Sequence, residues 1–399
     1  MIDLDGPRWE LEVARDRFLD GDLRARVTSI QLEATIDGAD QLTIEASMWD
    51  DRARRYVFGP GEPLALGSEV VVWAGYGREI EALQGFRIIA HEPRLVAGEA
   101  PTLRAIGYSA EHRLVAMGRD RIFGGPIADS EIASRIAQAH GLGLAQLDAT
   151  PAREAGRVKA KGDSDWLFLR QLATANGFGS PYTRWNAQTR RADLHFGRTD
   201  LRRQAELVTW RLRVDDAAAS TLLSFSPDTS IGDCPTAVEV TGYDPARGET
   251  ISVTVTIDQG AQSPVAYTGR PSGPVDPRLR SGTQVQLAIF AGGSSTPDGE
   301  QREIVSLGEG APRTEEELVA WAKRWLATRN RAFMRARAET IGYRAAWPGM
   351  VHRFAGLPPE YEGLWEADAV THRWDASGWR CSWDLSRVLE DAGAPRVGA

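Results

Sequence analysis

Cysteine and lysine are nearly missing from this 399-residue chain. The two cysteines, Cys234 and Cys381, are too few for a disulfide framework and lack the paired spacing of a zinc site. Each therefore reads as a small buried apolar group. Lysine occurs only at Lys159, Lys161 and Lys323, leaving 44 arginines among 47 basic residues, a bias that carries no functional conclusion. No apolar run approaches the roughly 18 residues that cross a bilayer, which predicts no membrane span. Met1 to Gly6 has neither the basic region nor the apolar core of a secretory signal, so synthesis in the cytoplasm is expected.

Catalytic spacings are scarce as well. There is no Walker loop and no dinucleotide fingerprint, and Gly141-Leu142-Gly143 follows a helix instead of linking a strand to one. His91-Glu92 opens like a metalloprotease helix, but Pro93 follows and no histidine stands four residues after His91. Gly107-Tyr108-Ser109-Ala110-Glu111 resembles a nucleophile elbow until its last position, where Glu replaces Gly; Ser109 reads as a surface or turn residue. Asp163, Asp165 and Glu315 to Glu317 stand at helix starts, where capping accounts for them better than glycoside hydrolysis. The lone His372 reads as structural rather than as a pH-sensitive contact. No catalytic residue, cofactor site or metal ligand is expected, and the chain does not read as an enzyme.

What remains is ordinary globular material. With 42% hydrophobic and 26% charged residues, the chain can bury a sizeable core, and its length suggests two to four modules. A formal net charge of -8, with acidic residues scattered along the chain, argues against broad or sequence-specific binding of nucleic acid. Thirteen tryptophans suggest packed interfaces as well as cores.

Alternation dominates the pattern. Ile30, Leu32, Ala34 and Ile36 alternate with polar residues, Asp37 to Asp40 turn the chain, and Leu42, Ile44, Ala46 and Met48 alternate again, which predicts a β-hairpin. Strand candidates at Val70 to Trp73, Leu83 to His91 and Thr102 to Tyr108 complete a small antiparallel barrel or sandwich over residues 1–112. The period then changes. One helix, capped by Asp129 or Ser130, carries Ile132, Ala133, Ile136 and Ala137 and ends at His140-Gly141-Leu142; another starts near Asp163 to Asp165 and ends at Asn176-Gly177-Phe178. With strands at Tyr182 to Asn186 and Arg191 to Phe196 they make an α+β insert over 113–212.

A second β module is expected over 213–257 and 333–392. Its signals are Leu222 to Phe225, Val238 and Val240, the alternation Ile251, Val253, Val255, Ile257, and a last strand with Trp379, Cys381, Trp383 and Leu385 inward. Residues 258–332 read as a Gly/Pro-rich excursion followed by a helix over 315–330 with the capping box Thr314 to Glu317. The fold class is α+β, mainly β.

Four of these motifs, in this order, resemble the phage late control gene D family. The first is the helix Ala128 to Leu142. The second runs from Lys161 to Phe178, where an acidic cap precedes Phe168-Leu169, Leu172-Ala173 and a closing Gly177-Phe178. Leu223 to Pro227 with Val238 to Asp244 is the third, and the C-terminal stretch Ile341 to Arg387, with its Trp347-Pro348-Gly349, Glu362 to Trp365 and Val370 to His372, is the fourth. The family pattern falls on Asp165, Trp166, Leu169, Leu172, Gly177, Gly342, Gly349, Gly363, His372 and Trp383. The resemblance covers the chain from about residue 110 onward.

In that family, which includes the N-terminal part of VgrG-type spike proteins, the members are baseplate hubs of contractile tails. The resemblance implies a homotrimer with two tail-tube-like antiparallel barrels per chain, presenting a pseudo-sixfold ring to a hexameric inner tube. It implies no cofactor, and as partners the tube protein, other baseplate proteins and a spike. The chain ends at Ala399 without a spike domain, so a separate spike protein is expected, as is a place in a bacterial tail or injection particle with an acid-lined lumen. Two other readings stay open: a particle-associated cell-wall hydrolase, and a transcription regulator, against which the acidic charge and missing helix-turn-helix argue.

Overall fold

Alternating apolar residues need a partner strand on each side, and the predicted hairpin finds both. Val27–Thr35 pairs antiparallel with Gln41–Ser47, with Leu32 opposite Leu42 and Ile30 opposite Ile44. Gln41–Ser47 pairs onward with Thr102–Tyr108, and Val27–Thr35 pairs on its other side with the late strand Gly363–Asp375. Trp374, Ile30, Ile44 and Ala105 thus form one inward row across four strands, and His372, Leu32, Leu42 and Gly107 the next.

The computed structural model describes residues 6–14, 17–36, 38–58, 63–115, 121–154, 156–160, 162–176, 178–197, 207–229, 237–244, 248–258, 263–269, 283–286, 305–307, 318–319, 321–322 and 334–388. Gly177, Cys234, Lys161, the capping box at Thr314 to Glu317 and most of the 258–332 segment lie outside them. The chain divides into two units. One comprises Met1–Phe225, Arg337–Leu357 and Ala367–Asp384; the other Ser226–Ala336, Pro358–Glu366 and Leu385–Ala399.

The fold is α+β and mainly β. A 13-stranded sheet runs in the order Leu222–Thr229, Met334–Ile341, Gly378–Arg387, Gly363–Asp375, Val27–Thr35, Gln41–Ser47, Thr102–Tyr108, Glu79–Arg94, Glu69–Tyr76, Pro7–Ala14 and Arg17–Phe18; Val351–Ala355 and Thr209–Arg211 are attached off that path. Its open face is not uniformly acidic. Arg104 stands between Glu45 and Glu92 on neighbouring strands, 2.9 Å from the latter, and Arg380 pairs with Glu339 at 3.1 Å.

The α+β segment has its own core, built from Ile132, Ala133, Ile136 and Ala137 of helix Asp129–Ala139 and Phe168, Leu169, Leu172 and Ala173 of helix Asp165–Ala175. Gly141 takes φ +71° after the first helix, the left-handed conformation its position predicted. The capping differs from expectation. The first helix has Ala128 at its N-cap with no side-chain bond, and Asp129 and Ser130 lie inside it; Thr150 Oγ1 accepts from the Ser130 amide instead. In the second, Ser164 is the cap, its hydroxyl accepting from the Leu167 amide at 3.0 Å. Asp129 and Asp165 are therefore free of capping work and turn inward.

In the other unit, the alternation Ile251 to Ile257 builds Glu249–Asp258, which lies between Ser263–Gly269 and Ala237–Asp244 in a five-stranded sheet completed by Thr283–Gln286 and Val305–Leu307. Val240 and Val253 face each other and are fully buried. There too, Arg387 lies over the buried ring of Trp365 at 5.3 Å.

Candidate functional site

Among the described residues of the first unit, several groups of titratable side chains are buried. Ser109, read from sequence as a surface or turn residue, is instead only 4% exposed, because its strand end folds under the hairpin turn. Its hydroxyl accepts from the Asp40 amide at 3.0 Å and donates to Glu111. Gln84 donates to Asp40 at 2.9 Å, and the Thr183 amide donates to Glu111 at 2.8 Å. Two carboxylates thus share a buried site with Arg184, which is held between the rings of Tyr182 and Trp347 at 4.7 and 4.3 Å. Burial, and then the neighbouring Glu111, push the Asp40 carboxyl up to about 8 against the pull of Arg184 and Gln84. The sequence held one signal of this cluster: Gln84 occupies the inward phase of a strand whose next inward residues are Phe86 and Ile88.

The second cluster joins His372 and Cys381. The His372 ring is fully buried, and its Nε2 lies 2.8 Å from the Ala346 carbonyl, which assigns the proton there. Nδ1 then accepts from the Cys381 thiol at 3.3 Å. Burial pushes the thiol up to about 12 and the imidazole down to about 4, so both members stay neutral. A cysteine nucleophile needs the opposite arrangement, a thiolate beside an imidazolium within reach of solvent.

The third lies in the α+β segment. Lys159, fully buried, contacts Asp165 at 2.8 Å, and His140 reaches the other carboxylate oxygen at 2.8 Å. Against the burial that would raise it, Lys159 and His140 hold Asp165 below the usual carboxylate range. Asp129 is held down in the same way, by Arg157 and Asn176. Both carboxylates are almost completely buried. Among the described residues, no group of three or more His, Cys, Asp or Glu side chains is placed to hold a metal.

The residues carrying the family pattern fall into separate places. Asp165, Trp166, Leu169 and Leu172 sit together in the second helix, three of them in its apolar core. Gly342 lies against Trp379, where a Cβ would come within 2.1 Å of the indole, and its carbonyl accepts from Tyr76 at 2.9 Å. Trp379 in turn lies 5.9 Å from the His372 ring. Gly349 takes φ +80° in open space and Gly363 takes φ +125°. Trp383 packs with Trp210 and His352, its indole donating to Thr340 at 2.9 Å. Those of them that are described hold cores and turns.

Solved structures share this arrangement along nearly the whole chain. The tail protein from Neisseria meningitidis MC58 matches with a TM-score of 0.61 at 12% identity, over 96% of this chain and 97% of that one. The 43 kDa tail protein of prophage MuSo2 from Shewanella oneidensis matches with a TM-score of 0.58 at 12% identity, over 96% and 98%. A protein of E. coli, described as a component of the type VI secretion system with structural similarity to T4 bacteriophage tail proteins, gives 0.53 at 8% identity, over 92% and 74%. No family model and no curated protein matches the sequence. The chain has the fold of these tail proteins.

Proposed function

We propose that this chain is a structural baseplate hub of a contractile tail or injection particle, a homotrimer that joins the hexameric inner tube to a separate trimeric spike. The observation that carries the reading is the match to two tail proteins over 96% of the chain and over 97% and 98% of theirs. In this reading residues 1–112, and 213–257 with 333–392, are the two tube-like modules, and 113–212 is the insert. The direct pairing of Val27–Thr35 with Gly363–Asp375 supports a firm union of early and late strands in one sheet. Its work is done by surfaces, and the tube, the spike and other baseplate proteins are its partners. The Cys381–His372 couple, neutral and fully buried, is not arranged as a nucleophile.

Light scattering on the purified protein, alone and with the spike protein of the same particle, tests the proposal. A trimer, formed alone or on addition of the spike, is the expected result. A monomer that ignores the spike overturns it, and clearing of a peptidoglycan suspension would point to the hydrolase instead.

A further inference from the structure

One offset of 36 positions relates the two halves of the α+β segment. It carries Arg121-Ile122 onto Arg157-Val158, Asp129 onto Asp165, and His140-Gly141-Leu142 onto Asn176-Gly177-Phe178. The buried helix positions obey it too: Ile132, Ala133, Ile136 and Ala137 map onto Phe168, Leu169, Leu172 and Ala173. Both helices have 11 residues, and both end with the same closing bond, from the Leu142 amide to the Ala137 carbonyl and from Phe178 to Ala173, each 2.9 Å.

The contacts cross between the halves. Arg121–Phe123 pairs antiparallel with Arg157–Lys159 so that Ile122 faces Val158, its own equivalent, as on a two-fold axis. Arg157 of the second half donates twice to Asp129 of the first, both at 2.8 Å, and Arg121 of the first lies 3.6 Å from Asp165 of the second. Asn176, capping the second helix, donates to Asp129 at 2.7 Å, while His140, capping the first, reaches Asp165 at 2.8 Å. Chance similarity of two helices supplies no reason for exchange in both directions. The symmetry ends beyond the caps, where Gly143–Leu147 pairs parallel and Tyr182–Asn186 antiparallel with the same strand, Arg191–Phe196.

We propose that residues 121–142 and 157–178 are two copies of one strand–helix unit, locked by a reciprocal exchange of arginine and cap side chains so that the two helices open as one. The proposal is independent of the hub reading, since it concerns one chain. Each helix offers a buried carboxylate that accepts from the cap of the other helix as well as from Arg157 or Lys159, so loosening either cap removes one partner from a carboxylate in the other helix.

Exchanging the caps in the full-length protein is the test. His140→Asn gives the first cap the residue used by the second, Asn176→His does the reverse, and His140→Ala and Asn176→Ala remove them. Amide hydrogen exchange, followed by mass spectrometry over Asp129–Ala139 and Asp165–Ala175, is the readout. Each alanine variant is expected to speed exchange in both helices by about tenfold, while His140→Asn stays within about twofold of the starting protein. Asn176→His is expected to retain most of the protection in both. An alanine variant that loosens only one helix or neither, or His140→Asn as damaging as His140→Ala, overturns the proposal.

Discussion

The C-terminal strands and the α+β segment both exclude water, with opposite chemistry. In the strands, stacked Trp374 and Trp379 lie 5.2 Å apart, His372 stacks on Trp374 at 5.7 Å, and Trp383 packs on Trp210 at 5.8 Å. In the helical segment an aliphatic and aromatic core adjoins buried Asp129, Asp165 and Lys159. Rings contribute through area and shape, which no single partner controls. Buried charges stabilise only while every partner is present, because an unpaired one has been taken out of water without compensation. The two regions should therefore fail in different ways.

The largest expected effect breaks the aromatic side of the comparison. Trp383→Asp places an unpaired carboxylate among Trp210, His352 and Phe354 and should abolish the folded state, read as loss of the near-ultraviolet circular dichroism signal. Unchanged assembly on size-exclusion chromatography would sink this view of the strand. Next comes the ionic side. Asp165→Leu strands the buried Lys159 and should cost about 3–5 kcal/mol, whereas adding Lys159→Met should recover most of the loss. Additive losses in urea unfolding would show that the pair is not an electrostatic unit.

Acid should loosen the aromatic region through its buried histidines. Burial pushes His352 and His372 down to about 4, below an ordinary value near 6.5. A depressed folded-state value means that the neutral ring is favoured by folding. Its contribution is complete above pH 6.5 and lost as the pH falls through 4, on the order of 3 kcal/mol for each ring. His352 has no hydrogen-bond partner for either ring nitrogen among the described residues. His352→Phe should therefore shrink the fall in melting temperature between pH 7 and pH 4.5; an unchanged fall would place the acid sensitivity elsewhere.

The smallest effect at neutral pH is Asp40→Asn. Asp40 is raised to about 8, so its contribution is present below the ordinary 3.8 and lost as the pH rises through 8, opposite in sign to the histidines. The asparagine variant should be more stable than the parent at pH 9. Equal melting temperatures there would mean that Arg184 already compensates the charge.

Much of the architecture was legible because its causes are local. The strands Thr102–Tyr108, Tyr182–Asn186 and Arg191–Phe196 stand where their alternation predicts, and the inward residues of the last strand are Trp379, Cys381, Trp383 and Leu385. Asp129, Asp165 and Ser109 were misread for one reason. A polar residue at a helix start or strand end satisfies itself locally in the usual case, and nothing nearby in sequence shows that Arg157, Lys159 or Glu111 will come to it from elsewhere.

The chain by itself determined where strands and helices form, which face of each turns inward, and where glycine closes a helix. Side-chain period and backbone conformation act within a few residues, so they can be read there. Only the tertiary structure decided that Leu32 lies opposite His372, that Asp40 and Glu111 share one buried site, and that two helices satisfy each other's carboxylates. Those facts depend on which distant segments meet, and strand register and ion-pair partners are settled by burial across the whole unit rather than by any short stretch of sequence.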